Sequence, residues 1–125
     1  MKKKIVSKSA PAATGPFSHA VETEQFVFTS GQIYLTSDGK LLEGSFEDQV
    51  HQTMKNLAGI LKEAQLDFSR VVKTTIFVTD MASYGTVNKI YGSYMSDPFP
   101  AREVICVKEL PLGAKLEISM IAAKQ

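Results

Sequence analysis

Three segments, residues 71–79, 102–107 and 116–123, have the length and β-branched content of strands but are apolar on both alternating rows. In the first, Val72, Ile76 and Val78 fall on one row and Val71 and Phe77 on the other; in the last, Ile118 and Met120 oppose Ile121 and Ala123. Strands of this kind belong to a sheet whose two faces both need cover. Helices on the connections between strands can cover one face, because right-handed crossovers put them on the same side. A chain of 125 residues with 44% hydrophobic content has a core for one domain, residues 1–125, and nothing left for the second face. Another subunit is the predicted cover.

Two helices are legible. Ser45-Phe46-Glu47-Asp48 reads as a capped start, and Phe46, Val50, Met54, Leu57, Leu61 and Ala64 recur at helical spacing, which predicts a helix to about Ala64 with Met54 in the core. Asp80 caps a second helix from Met81 to about Met95, with Tyr84, Val87, Tyr91 and Tyr94 as its stripe and Asn88 at the margin. Upstream, residues 3–8 form a short edge strand, and Pro11, Gly15 and Pro16 keep 9–16 a loop. Short β runs follow at Ala20–Glu22 and Phe26–Thr29, with Gly31 where something approaches closely, an extended stretch at Gln32–Leu35, and a turn at Ser37-Asp38-Gly39.

Charge is nearly balanced, 14 Lys+Arg against 13 Asp+Glu, so no overall field draws the chain to nucleic acid or to an anionic membrane. The basic run Lys2-Lys3-Lys4 is followed by only Ile5 and Val6 before polar residues, which predicts neither a signal peptide nor a membrane span and leaves a soluble cytoplasmic protein as the expectation. Cys106 has no partner for a disulfide and reads as an inert core thiol. His19 and His51 lack metal-ligand spacing and read as structural, so no metal is expected.

The stretch Asp97-Pro98-Phe99-Pro100-Ala101-Arg102 ends the second helix at its prolines and sets Arg102 at the mouth of the strand Val104-Ile105-Cys106-Val107. A guanidinium there can bind an anion across a cleft; the alternative is a strand-end arginine lying in solvent.

Taken in order, Ala10-Pro11-Ala12-Ala13 with Gly15-Pro16, Thr29-Ser30-Gly31-Gln32-Ile33, Val72-Lys73-Thr74-Thr75-Ile76-Phe77-Val78, Thr86-Val87-Asn88, Phe99-Pro100-Ala101-Arg102, Leu110-Pro111 and Lys115-Leu116-Glu117-Ile118 resemble the YjgF/YER057c/UK114 (Rid) family, and its RidA branch most. The resemblance spans nearly the whole chain, and the pairing of Arg102 with Glu117 is its most specific part. It implies a chorismate-mutase-like α+β domain, a mixed β-sheet with two helices on one face, assembled as a homotrimer with sites in the clefts between subunits. It also implies hydrolysis of 2-imino acids, such as 2-iminopropanoate and 2-iminobutanoate, to 2-keto acids and ammonia without a cofactor. The substrates would be released by pyridoxal-phosphate enzymes such as threonine dehydratase. By matching position, Arg102 grips the substrate carboxylate and Glu117 activates water, while Phe17, Ser30, Gly31, Asn88 and Val104 line the pocket.

Residue chemistry agrees with these roles. A bound carboxylate calls for a planar, permanently charged fork, and an imine carbon is electrophilic enough that orientation plus one proton-transferring carboxylate suffices. Three positions depart from the family pattern: Phe17 stands where tyrosine is usual, Val104 where cysteine is common, and Glu103 where a small residue is common. Alternation points Glu103 away from Arg102 unless a bulge intervenes. The competing function is a non-catalytic small-metabolite-binding regulator of translation, purine or amino-acid pathways, which could use the same arginine but has no need of Glu117. RNA binding lacks a basic stripe and stacking aromatics on a shared element.

Overall fold

A computed structural model describes residues 1–125. The strands are β1 (Lys3–Ile5), β2 (Ala20–Glu22), β3 (Phe26–Thr29), β4 (Val71–Val78), β5 (Ala101–Cys106) and β6 (Leu116–Ala123); the helices are α1 (Phe46–Glu63) and α2 (Tyr84–Tyr94). They form a single six-stranded mixed sheet in the order β1-β2-β3-β6-β4-β5, with both helices packed on one face. All neighbouring pairs are antiparallel except β4 and β5, the pair that α2 connects, as a parallel pair requires.

Helix α1 starts where its cap is encoded. The Ser45 side chain accepts the Asp48 N–H at 3.1 Å, and Glu47 and Asp48 lie at the positive end of the helix dipole. Val50, Met54, Leu57, Ile60 and Leu61 are buried against Val27, Ile76, Leu116, Ile118 and Met120 of the sheet in one core. The C-terminus closes with the Gln65 N–H on the Lys62 carbonyl and the Leu66 N–H on the Leu61 carbonyl, which puts Gln65 at φ 62°. That is a glycine-type position held by glutamine.

Asp80 caps as expected, but its carboxylate accepts the Ala82 N–H of a single 3-10 turn, Met81–Ser83, and α2 begins only at Tyr84. Gln32–Leu35 forms no strand; it touches the sheet through one bridge, Gln32 to Ile118, while Leu35 bridges Leu41 outside the sheet. β1 ends at Ile5 because the Ser7 amide leaves the sheet to donate to His19.

Two expectations about the strands are corrected. Val72 does not share a row with Ile76 and Val78: a bulge between Val71 and Lys73 inserts one residue, so Val71 joins Thr74, Ile76 and Val78 against the helices and Val72 is exposed. β5 is an edge strand, and Cys106 is exposed rather than in the core. The face away from the helices carries Phe26, Phe28, Phe77, Ile105, Ile121 and Ala123 among Lys73, Thr75, Glu103, Glu117 and Ser119. No element of the chain covers it. β4 and β5 pair in unbroken register, so Glu103 points onto this open face, where it accepts from Thr75 at 2.9 Å and pairs with Lys73 at 3.3 Å.

Candidate functional site

The sequence-derived site residues fall into two groups on opposite faces of the sheet. Arg102 pairs with Thr74 on the helix-facing row, and Glu117 pairs with Phe77 on the open row. They do not meet within one chain.

Around Arg102 the groups come from α2 and the segment before β5. Nη1 donates to Asn88 Oδ1 at 2.8 Å and Nη2 to the Tyr84 hydroxyl at 2.9 Å, while the guanidinium carbon lies 5.7 Å and 5.4 Å from the Tyr84 and Tyr91 ring centroids. Cation–π attraction and two hydrogen bonds therefore hold the fork in one orientation. Three of its five N–H donors stay free. Tyr91 is anchored by donating to Thr74 Oγ1 at 2.9 Å; burial pushes its hydroxyl pKa up, against the opposing effects of Thr74 and Arg102, so it remains a neutral donor. The cleft here, about 290 Å³, is lined by Asn88, Tyr91, Gly92, Phe99, Pro100 and Arg102 and holds no carboxylate. Tyr84 and Tyr91 were legible in the sequence only as packing. Their spacing of four and three around Asn88 was the available signal for a polar cradle.

Val104 follows on the same edge. Val107 donates to the Val78 carbonyl at 2.8 Å, and alternation in a parallel pair then turns the N–H and C=O of residues 105 and 103 toward β4 and those of Val104 outward. Its carbonyl is a free acceptor on the edge strand.

The second group surrounds Glu117. Gln32 and Ile118 exchange main-chain hydrogen bonds at 2.8 and 3.0 Å, which lays Gly31 against β6. A Cβ on Gly31 would fall 2.7 Å from the Glu117 carboxyl carbon, so any other residue here would force this carboxylate to turn out of its position. The Ser30 N–H and hydroxyl are taken up by the His19 and Ser18 carbonyls at 2.9 and 2.6 Å, leaving Gly31 N–H as the unpaired main-chain donor. Burial raises the Glu117 pKa above the usual carboxylate value. Phe17, 56% exposed, and Leu112 stand in the lining of a cavity of about 430 Å³ that includes Gly31 and Glu117. No lysine or arginine lines it.

Each half thus has what the other lacks: a fixed cation without a carboxylate, and a half-buried carboxylate without a cation. An α+β domain with an open sheet face, an arginine-lined cleft and a separate cavity holding a carboxylate is the class these features define. A family model described as Endoribonuclease L-PSP matches residues 7–124. Reactive Intermediate Deaminase A, chloroplastic, of Arabidopsis thaliana is 48% identical over 98% of the chain, which spans 66% of that longer protein. The 2-iminobutanoate/2-iminopropanoate deaminase of Mus musculus is 43% identical over 99% of the chain and 93% of its own length. A crystal structure of YyfA from Yersinia pestis, described as a protein of the conserved Rid family, superposes with a TM-score of 0.94 at 40% identity, covering 98% of this chain and 99% of that one. The chain belongs to this YjgF/YER057c/UK114 (Rid) family. No helix in it is long and apolar enough to cross a membrane.

Proposed function

We propose that the protein is a cytoplasmic homotrimeric deaminase that hydrolyses 2-imino acids, such as 2-iminopropanoate and 2-iminobutanoate, to 2-keto acids and ammonia. The names carried by relatives more than 40% identical over nearly the whole chain support this activity. The observation that carries the mechanism is the separation of the half-sites. A 2-imino acid needs a cation for its carboxylate and a carboxylate for proton transfer, and Arg102 and Glu117 can supply both only if the open face of one subunit meets the Arg102 edge of the next. A head-to-tail ring of three makes that contact three times.

In such a cleft the free Arg102 donors grip the substrate carboxylate in two parallel hydrogen bonds. The Gly31 N–H donates to the same oxygens, and the Val104 carbonyl accepts from the imine N–H. Glu117, ionised, takes a proton from water as its oxygen attacks C2 and passes it to the imine nitrogen, giving a carbinolamine; it then takes the carbinolamine hydroxyl proton as C=O forms and delivers it to the nitrogen, which leaves as ammonia. One C=N bond and one water give one C=O bond and ammonia, with electrons balanced and no redox step. The raised pKa of Glu117 suits a group that must both accept and return a proton near neutrality. Phe17 contributes packing where tyrosine would bring a hydroxyl. Eliminating enzymes that use pyridoxal phosphate, such as threonine dehydratase, release the enamine precursors of this substrate.

Subunit complementation tests the reading. Arg102→Ala and Glu117→Gln chains should each have lost nearly all activity alone; refolded together at equal amounts, about one quarter of clefts pair an intact Arg102 with an intact Glu117. Imine hydrolysis, timed by keto-acid release behind threonine dehydratase, should return to about that fraction of wild type. No recovery in mixed trimers sinks the shared site. Keto-acid binding without hydrolysis by the wild-type chain favours a regulatory binding protein instead.

A further inference from the structure

His19 is buried, is absent from the chemistry above, and has both ring nitrogens engaged. Nδ1 accepts the Ser7 N–H at 3.0 Å, so the ring proton sits on Nε2 and is donated to the Pro11 carbonyl at 2.9 Å. A ring held in this way cannot serve as a base toward substrate. It does something else: it ties the end of β1 and the stretch Ala10–Ala13 to the position just before β2. The loop has few other ties, a long Ala10 N–H to Ser7 carbonyl contact of 3.4 Å and a Ser7–Ser9 hydroxyl pair at 3.1 Å. Ala10–Ala13 form one wall of the Glu117 cavity, and the main chain of His19 also accepts from Ser30, next to Gly31. Another part of the lining is fixed by buried Asn56, which donates to the Ile33 and Leu35 carbonyls at 3.0 and 2.9 Å. Apolar Ala12, Ala13, Ile33, Leu35 and Leu112 line the cavity beside the uncharged polar side chains of Thr14, Gln32 and Asn56, and Glu117 is its only carboxylate.

We infer that His19 is a positioning residue that holds the Pro11–Ala13 wall and thereby sets which substrate side chain the Glu117 cavity accepts: a short, uncharged one on C3 of the 2-imino acid. This rests on the function proposed above. His19 reaches neither the carboxylate clamp nor Glu117, so losing it loosens the wall without removing a reacting group. His19→Leu keeps the bulk and removes both hydrogen bonds; His19→Gln keeps an acceptor and a donor and cannot change charge. His19→Leu should raise KM for 2-iminobutanoate ~5 to 30-fold, the substrate having to re-order the loosened wall, with kcat within about twofold, and reduce its preference over the longer imine derived from leucine by a similar factor. His19→Gln should restore both to within about threefold of wild type. The double variant Ala12→Gly/Ala13→Gly frees the same wall from outside the core, and should lower the preference even if His19→Leu does not fold. Unchanged preference in the folded variants, a fall in kcat at constant KM, or no rescue by glutamine overturns the inference. Absence of imine hydrolysis by the wild-type chain overturns the deaminase reading alone. Binding of 2-ketobutyrate against 4-methyl-2-oxopentanoate by the same proteins then decides the role of His19.

Discussion

Arg102→Lys separates charge from geometry at the clamp. The guanidinium donates once to Asn88 at 2.8 Å and once to Tyr84 at 2.9 Å, which leaves three N–H groups for a ligand. A carboxylate gripped in the two-pronged manner uses two of them. Lysine brings only three donors on a single nitrogen, so keeping Asn88 and Tyr84 leaves one for the ligand, and releasing them frees a side chain that no longer stacks at 5.4 Å from Tyr91. Either way one charge-assisted hydrogen bond to the ligand is lost or its orientation is, a cost of about 1.5–3 kcal/mol, or ~10 to 150-fold in Kd. Titration calorimetry with 2-ketobutyrate at low salt measures it directly, beside sedimentation to confirm that assembly is unaltered. Binding within about threefold of wild type would show that charge alone suffices and would refute the clamp.

Glu117→Gln should cut imine hydrolysis ~10² to 10⁴-fold while leaving 2-ketobutyrate binding largely intact, and unchanged turnover would remove Glu117 from the chemistry. Because burial raises the Glu117 pKa above its ordinary 4.5, the folded protein binds more protons than the unfolded chain between the two pKa values, and stability falls as pH rises through that window. The glutamine variant lacks this loss, so its Tm should exceed wild type at pH 7 and the gap should narrow below about pH 4. The acid limb of wild-type kcat should likewise lie above the ordinary carboxylate range, since the base must be ionised. Gly31→Ala places a methyl 2.7 Å from the Glu117 carboxyl carbon, which the flexible side chain relieves by turning away; stability should change by no more than about 1 kcal/mol in a denaturant melt while most of the activity is lost, and near-wild-type kinetics would mean that the carboxylate is not needed in that position. Gln65→Gly should stabilise by up to about 1 kcal/mol, because glutamine at φ 62° bears a left-handed penalty that exceeds the extra chain entropy of glycine; a lower Tm would contradict the cap geometry.

Local patterns determined much of this molecule. Ser45 and the apolar stripe from Val50 to Leu61 define α1 because a cap and a 3.6-residue period act within a few residues. The open sheet face was implied by strands apolar on both rows, and the order of short motifs from Pro11 to Glu117 carried the family and the candidate residues. What the sequence could not supply was partnership across distance. Whether a strand lies at an edge depends on strand order, so the apolar run Val104–Cys106 looked buried and is largely exposed. One bulge at Val72 moved Val71 onto the row of Ile76 and Val78 and left Val72 exposed, since a period of two inverts with every inserted residue. The cradle of Tyr84, Asn88 and Tyr91 around Arg102, and the tie of His19 to Ser7 and Pro11, join residues 11 to 18 and 8 to 12 positions apart. Tertiary structure also decided that Arg102 and Glu117 stand on opposite faces of one sheet, because side-chain direction follows strand register and pairing, which no stretch of sequence specifies alone.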